Sequence, residues 1–590
     1  MASETESRPS TATARETLTG YASRTQLAVV GVTVLALVAR LVDLGTRIAH
    51  QDEARVAYWA LRYMENGAYQ YRARVHGPFL TIVDGHLFGI IGPSDFSMRL
   101  VVALIGGLLP LVALLFRKHL RDSETIALAL LLAANPILLY YSRFYRNDVL
   151  LAGFMLAAFG FYVRTYDTRK PRYLYAGTAI FALAFTTKEN ALVYPVCWAG
   201  AFVLLWDHRL FAERAGERGL LATVWDQVRD ALRGLRNWWL HLVLAVVEFF
   251  AIVVFFYAPR NTHLLSDNDA PGLYEALGNP VLLPAMVEEA TVGSWNEFMG
   301  VWGEGSTESY LTVFEELLPA YTEGALVVLA FAILGFVVDR YSGERPRDVV
   351  AFTAYWGFSS ILGYPVIVEN TFPWEVIHAV VPLVVPAAVG LALIVRLGLD
   401  SVADGDAISA SAAALVLLLV TAQVGATAVT ASYVEYQSSD NDLVQYAQSS
   451  SDMKPVLHEM RDVSQANDGI DVMYYGEEFY SADESSHDVP PAPSGSGWFE
   501  RLPFAWYFEA YDAEHDSTDR ADLIEGMDDK PPIVIALTNA STCSESYDNA
   551  DDIDAAMDGY ERHEANRYLH DSGCTVSTVA IYIDEDASRE

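Results

Sequence analysis

The chain has 590 residues, 52% of them hydrophobic, and a formal net charge of −36. That length allows several domains, and the acidic balance argues against nucleic-acid binding. Apolar runs recur from about Gln26 to Ala431, whereas beyond Ser432 none reaches the roughly 17–25 helical residues that crossing a bilayer takes.

Residues 1–25 are rich in Ser, Thr and Glu and lack the apolar core of a signal peptide, so they read as a disordered cytoplasmic tail. Residues 26–431 form the membrane domain. Its spans are predicted near 26–47, 98–116, 126–141, 149–163, 174–187, 191–206, 239–257, 324–338, 350–368, 376–396 and 409–431, about eleven in all. They must be helices, because lipid offers backbone groups no other partner. The connectors at 117–125, 164–173, 207–238 and 339–348 carry sixteen Lys/Arg. The alternate connectors carry eight over about twice the length. Positive charge marks the cytoplasmic side. A multi-pass plasma-membrane protein follows, with its N-terminus inside and its C-terminal domain outside the cell.

In the first exterior loop, residues 53–64 (EARVAYWALRYM) place Val56, Trp59, Ala60 and Tyr63 on one face. Arg55 and Arg62 fall on the other, which predicts an interfacial amphipathic helix ending at Asn66-Gly67. The acidic 258–323 loop holds six aromatics from Trp295 to Tyr321. Residues 432–590 alternate strand-like runs (471–475, 532–537, 576–583) with helical stretches near 499–511 and 549–569. An acidic exterior α/β domain is expected. It carries 36 Asp/Glu against 8 Lys/Arg, and only five of the chain's 39 basic residues are lysine, a surface suited to high salt. Cys543 and Cys574 share this domain, where a disulfide is permitted but not established by spacing. Asn539-Ala540-Ser541 is a glycosylation sequon.

Ionisable groups near a bilayer are costly and mark function, and here they gather on the exterior side. Asp52 and Glu53 follow span one. The loop at 140–148 packs Arg143, Arg146 and Asp148 into a turn, and 186–190 holds Lys188 and Glu189. Residues 368–378 add Glu369, Glu375 and His378. A carboxylate can take a proton from an incoming hydroxyl, and arginine or lysine can hold phosphate oxygens. Adjacent carboxylates such as Asp52 and Glu53 could instead coordinate a hard divalent cation, Mg or Mn. Any one such charge can also simply cap a helix or snorkel.

The stretch HQDEA (50–54) resembles the Asp-Glu element in the first exterior loop of the GT-C membrane glycosyltransferases. HGPFL (76–80), PSDFSMRL (93–100), YYSRFYRNDVLLA (140–152), ALAFTTKEN (182–190) and TFPWEVIH (371–378) resemble an archaeal family of flippase-activity-associated proteins. RLPFAWYFEAYD (501–512) resembles that family's exterior Leu-Pro-x-x-Trp-Tyr motif. The family is linked to N-glycosylation of surface glycoproteins through dolichol-phosphate-bound mannose. With the acidic surface, the resemblance points to a halophilic archaeon. It implies Asp52 as catalytic base, Glu53 as its positioning or metal-binding neighbour, and Asp148 as orienting the site. Arg143, Arg146 and Lys188 would face the donor phosphate, and His76, Glu189 and His378 complete the expected substrate-binding set. The stretch VENTFPW lacks a lysine expected before its Thr, which weakens phosphate binding by that loop. The implied activity is inverting transfer of a hexose, in the leading reading mannose, from a dolichyl or polyprenyl phosphate, with other glycosylation-pathway proteins as partners. The alternative is a non-catalytic accessory that helps dolichol-phosphate-linked sugar cross the membrane.

Overall fold

The computed structural model describes residues 23–587, apart from 214–219, 266–269, 304–308, 343–345, 368–370, 446, 485–495, 528, 542–545 and 570–575. Disulfide formation between Cys543 and Cys574 concerns positions outside the described residues, as does Glu369. Asn539 lies on the strand Ile533–Ser541.

Helices dominate the first 434 residues. In chain order the principal ones are α1 (Arg24–Leu41), α2 (Gln51–Asn66), α3 (Pro78–Ile91), α4 (Asp95–Leu108), α5 (Asp122–Ala134) and α6 (Pro136–Tyr141). Next come α7 (Asp148–Thr168), α8 (Pro171–Phe185), α9 (Val193–Glu213) and α10 (Leu220–Tyr257). The domain closes with α11 (Ser294–Trp302), α12 (Tyr310–Gly324), α13 (Leu326–Ser342), α14 (Asp348–Ile367), α15 (Ile377–Asp404) and α16 (Ala407–Val429). Among the described residues, eight helices are long and apolar enough to cross a membrane.

Helix occurs at all eleven predicted positions, but three fall short of an unbroken span. The third breaks between α5 and α6, because Pro136 has no N–H with which to continue the ladder. Asn135 recaps the chain there, accepting from Leu138 N at 3.1 Å and donating to Gly324 O at 2.7 Å. Helix α8 has fifteen residues. Helix α13 meets α12 at a bend of 87°. The sequence reading placed α3 inside a loop, yet it is an apolar helix of 14 residues.

Helix α2 extends the predicted 53–64 by two residues at each end, closing on Gly67 in the left-handed conformation (φ 66°). It does not offer one face to lipid. Both faces are covered, one by α3 and the other by the C-terminal domain, where Tyr58 packs its ring 5.0 Å from that of Trp498.

The C-terminal domain is a six-stranded mixed sheet in the order β2-β1-β3-β6-β5, with β4 paired to β3. The strands are β1 (Val472–Tyr475), β2 (His515–Thr518), β3 (Ile533–Ser541), β4 (Ser546–Tyr547), β5 (Tyr560–Asn566) and β6 (Val576–Asp584). Alternation decides its packing. Val472, Tyr474, Ile533 and Ile535 join the main core, while Met473, Tyr475, Val534 and Ala536 form a second core on the opposite face. The predicted helix at 549–569 is helical only in its first part and turns to strand in its second. Only Ala550–Ile553 and a short turn after it are helical, and Tyr560–Asn566 pairs with β6 as a charged edge strand.

Candidate active site

The sequence HQDE opens α2 as a capping motif. His50 Nδ1 accepts from Asp52 N at 3.0 Å, and Glu53 Oε2 accepts from His50 N at 3.0 Å. Burial opposes charge on Glu53, but Arg47 and Arg99 overcome it and hold the carboxyl well below the usual range. Arg47 Nη2 donates to Oε1 at 3.0 Å, and Arg99 grips both oxygens through Nε at 2.8 Å and Nη2 at 2.7 Å. Tyr145 N adds a bond of 2.6 Å. Glu53 therefore pins three segments together, and its oxygens are committed. It does not fit the divalent-cation site expected of an Asp52–Glu53 pair.

Asp52 points elsewhere and keeps 21% of its side chain open. Arg146 Nη1 pairs with it at 3.1 Å, while the guanidinium lies 4.4 Å over the Trp374 ring. Burial would raise the Asp52 pKa, but Arg146, with His50, Arg55 and His76, holds it below the ordinary carboxylate value. The helix N-terminus favours the same ionised form.

From Asp52 a line of alternating charge runs inward. Arg146 Nε lies 4.0 Å from Asp148 Oδ2, and Lys188 Nζ donates to Asp148 Oδ1 at 2.7 Å and to Glu375 Oε1 at 3.4 Å. His378 Nε2 stands 3.2 Å from Asp148 Oδ1, and its Nδ1 is 2.6 Å from the Tyr194 hydroxyl. Asp148, Glu375 and His378 present ligand atoms within 4.8 Å of one another. The Lys188 ammonium already lies against both carboxylates, so a metal ion there would have to displace it.

A second pair flanks Asp52. His76 Nδ1 lies 2.9 Å from Glu189 Oε2, and the Tyr71 hydroxyl donates to Glu189 Oε1 at 2.7 Å. His76 takes a left-handed φ of 69°, a conformation rare for non-glycine residues. The HGPF motif explains how it is held. Gly77 N and Phe79 N donate to the Thr187 and Thr186 carbonyls at 3.0 and 2.9 Å. Gly77 packs so tightly against those carbonyls that a Cβ would overlap them, and Pro78 starts α3.

Asp52, Asp148, Arg146, Lys188, Glu189, His76 and His378 thus come together, whereas Arg143 does not join them. Its guanidinium donates to the carbonyls of Ala39, Arg40, Val42 and Asp43, capping the end of α1, and lies 4.6 Å over the Tyr433 ring. Trp374, Tyr71 and Tyr194 belong to the site without having been expected there, and Glu375, expected only as one of the exterior charges, joins them. Glu375 and His378 sit three residues apart, the spacing that puts side chains on one helical face.

Residues 75–225 match the family model described as dolichyl-phosphate-mannose-protein mannosyltransferase. Residues 453–584 match that of the Agl23 flippase-associated protein C-terminal domain. No curated protein matches the sequence. Among solved structures, ArnT from Cupriavidus metallidurans bound to undecaprenyl phosphate is 15% identical, with a TM-score of 0.52 over 94% of this chain and 97% of that one. Its apo form scores the same at 15% identity, over 97% and 98%. The chain has a GT-C fold. Within that fold, the charged line lies where the N-terminal segments of α2 and α7 meet the turns at 186–190 and 373–378.

Proposed function

We propose that this GT-C protein transfers a hexose, mannose in the leading reading, from a dolichyl or polyprenyl phosphate to an acceptor at the exterior face. The observation that carries this is the position of Asp52, a part-open carboxylate paired with Arg146 at the outer end of a buried charge chain. The mannosyltransferase match and the undecaprenyl phosphate bound to ArnT support the donor class. The connector charges support the exterior placement, and the sharing of one site by loops after the first, third, fifth and ninth predicted spans is consistent with it.

In the resting site Arg146 makes Asp52 a weak base. A donor phosphate competes for the guanidinium through charge-assisted hydrogen bonds, and releasing Asp52 restores its basicity. Asp52 then takes the acceptor's proton as the acceptor oxygen bonds to the sugar's C1. The C1–O bond to phosphate breaks on the opposite side, and the lipid phosphate leaves with the electron pair, so the configuration inverts. This route uses no divalent cation.

The test incubates purified full-length protein with labelled polyprenyl-phosphate mannose and membrane acceptors. Asp52→Asn should cut turnover by about 10²–10⁴-fold while the protein level holds. Normal transfer by that variant would sink the role given to Asp52. The flippase-associated match favours a second reading, an accessory that delivers lipid-linked sugar across the bilayer. Supplying donor on the exterior side separates the two, since an accessory then becomes dispensable. Protease applied to intact cells tests orientation: cleavage within 440–590 supports it, and protection until lysis refutes it.

A further inference from the structure

We propose that the cavity between residues 70–72 and the segment 289–297 is a binding site for a neutral pyranose, distinct from the charged line at Asp52. Its volume is about 320 Å³, inside the roughly 300–1,000 Å³ range of small-molecule sites. The wall is a hydrogen-bonded string. Arg72 Nη1 lies 3.5 Å from Glu297 Oε2, Arg72 Nη2 donates to Gln70 Oε1 at 3.3 Å, and Gln70 Nε2 donates to Glu289 Oε1 at 3.5 Å. Asn296 and Tyr257 line the same space.

That chemistry selects among ligands. Two carboxylates against one guanidinium repel a phosphate, and an aliphatic ligand would leave the polar wall unsatisfied. Alternating donors and acceptors match a run of hydroxyls, each of which can both donate and accept. Tyr71 and Tyr257, with ring centroids 4.9 Å apart, supply an aromatic side for the apolar face of a sugar ring. The backbone is shaped to suit: Glu289–Gly293 form a π-helical turn, a feature frequent at functional sites. A Cβ on Gly293 would lie 2.5 Å from a Glu289 carboxylate oxygen, so glycine there lets the acid fold back beside the cavity. A neighbouring, more apolar cavity of about 140 Å³ shares Tyr71, Tyr257 and Ser294 and reaches Lys188 and Glu189. The sugar site is thus one layer of tyrosine from the charged line, and a transferase and a flipping accessory would both have use for it.

Saturation-transfer NMR on the full chain in lipid nanodiscs tests this, with methyl α-mannopyranoside and methyl α-glucopyranoside as probes and inorganic phosphate as competitor. Magnetisation should pass to the ring protons of a hexoside, and phosphate should not suppress it. Asn296 is exposed, so Asn296→Leu removes an amide without disturbing the fold. Asn296→Leu and Gln70→Ala should each weaken binding roughly tenfold, the effect of losing one good hydrogen bond. No transfer to either hexoside, displacement by phosphate, or parent-strength binding in both variants would overturn the assignment. Hexoside binding by a parent that transfers no mannose would sink the transfer reading and leave this site standing.

Discussion

At the scale of single residues, two adjacent carboxylates are put to opposite uses. Glu53 is fully buried between Arg47 and Arg99, so Glu53→Gln would strand two buried guanidinium groups without their counter-charge. Losses of about 3–5 kcal/mol accompany such a break. Glu53→Gln should therefore deplete folded protein, read as monodisperse yield after extraction, whereas Asp52→Asn should not. His50 supplies a pH prediction. Burial pushes its pKa from 6.5 down to about 4, against the pull of Asp52 and Glu53. Between those values the unfolded chain binds the extra proton, so stability is full above pH 6.5 and falls as pH drops towards 4. The loss should approach about 3 kcal/mol at 1.36 kcal/mol per pKa unit. His50→Asn keeps a helix cap but has no such proton, so its thermal midpoint should fall less than the parent's between pH 7 and 4.5.

At the scale of elements, short turns position the chemistry by locking onto one another. The loop carrying His76 is tied to the turn carrying Lys188 and Glu189 by two backbone hydrogen bonds and by the close seating of Gly77. Gly77→Ala would force a methyl group into the Thr186 and Thr187 carbonyls. Overpacking of this kind costs about 1–3 kcal/mol. The variant should lower the thermal midpoint and separate His76 from Glu189, and an unchanged midpoint would show that the turns are not rigidly coupled. The motifs HGPFL and TTKEN were both legible in the sequence, but their mutual docking was not. Nothing local to either records that a glycine more than a hundred residues away lies on those carbonyls.

At the scale of the whole molecule, the C-terminal domain braces the loop that presents Asp52. The Tyr507 hydroxyl accepts from Ala49 N at 2.8 Å and donates to Asp95 at 3.0 Å. Lys454 Nζ donates to the carbonyls of Gly45 and Thr46 at 2.6 and 2.9 Å. Tyr507→Phe would leave the buried Ala49 N–H unpaired, at a cost of about 1–3 kcal/mol. Hydrogen exchange at residues 44–53 should accelerate in that variant while exchange in α7 stays as in the parent. Equal protection of the loop in both proteins would mean that the domain does not brace it.

Apolar run length and the spacing of charge in the connectors determined the helical membrane domain. The short strand-like runs at 471–475, 532–537 and 576–583 determined the three strands β1, β3 and β6. These are properties of neighbouring residues and of transfer between water and lipid, which a linear chain records. The motifs likewise brought Asp52, Arg146, Asp148, Lys188 and His378 forward as one set. Only the tertiary structure separated Arg143 from them, because carbonyls at the end of α1 offered its guanidinium the acceptors that a phosphate was expected to supply. It alone divided Asp52 from Glu53, since which of two adjacent carboxylates meets Arg47 and Arg99 depends on how α2 is rotated against α4. A charged side chain takes whichever partner packing leaves within about 3 Å, and packing is a property of the assembled fold.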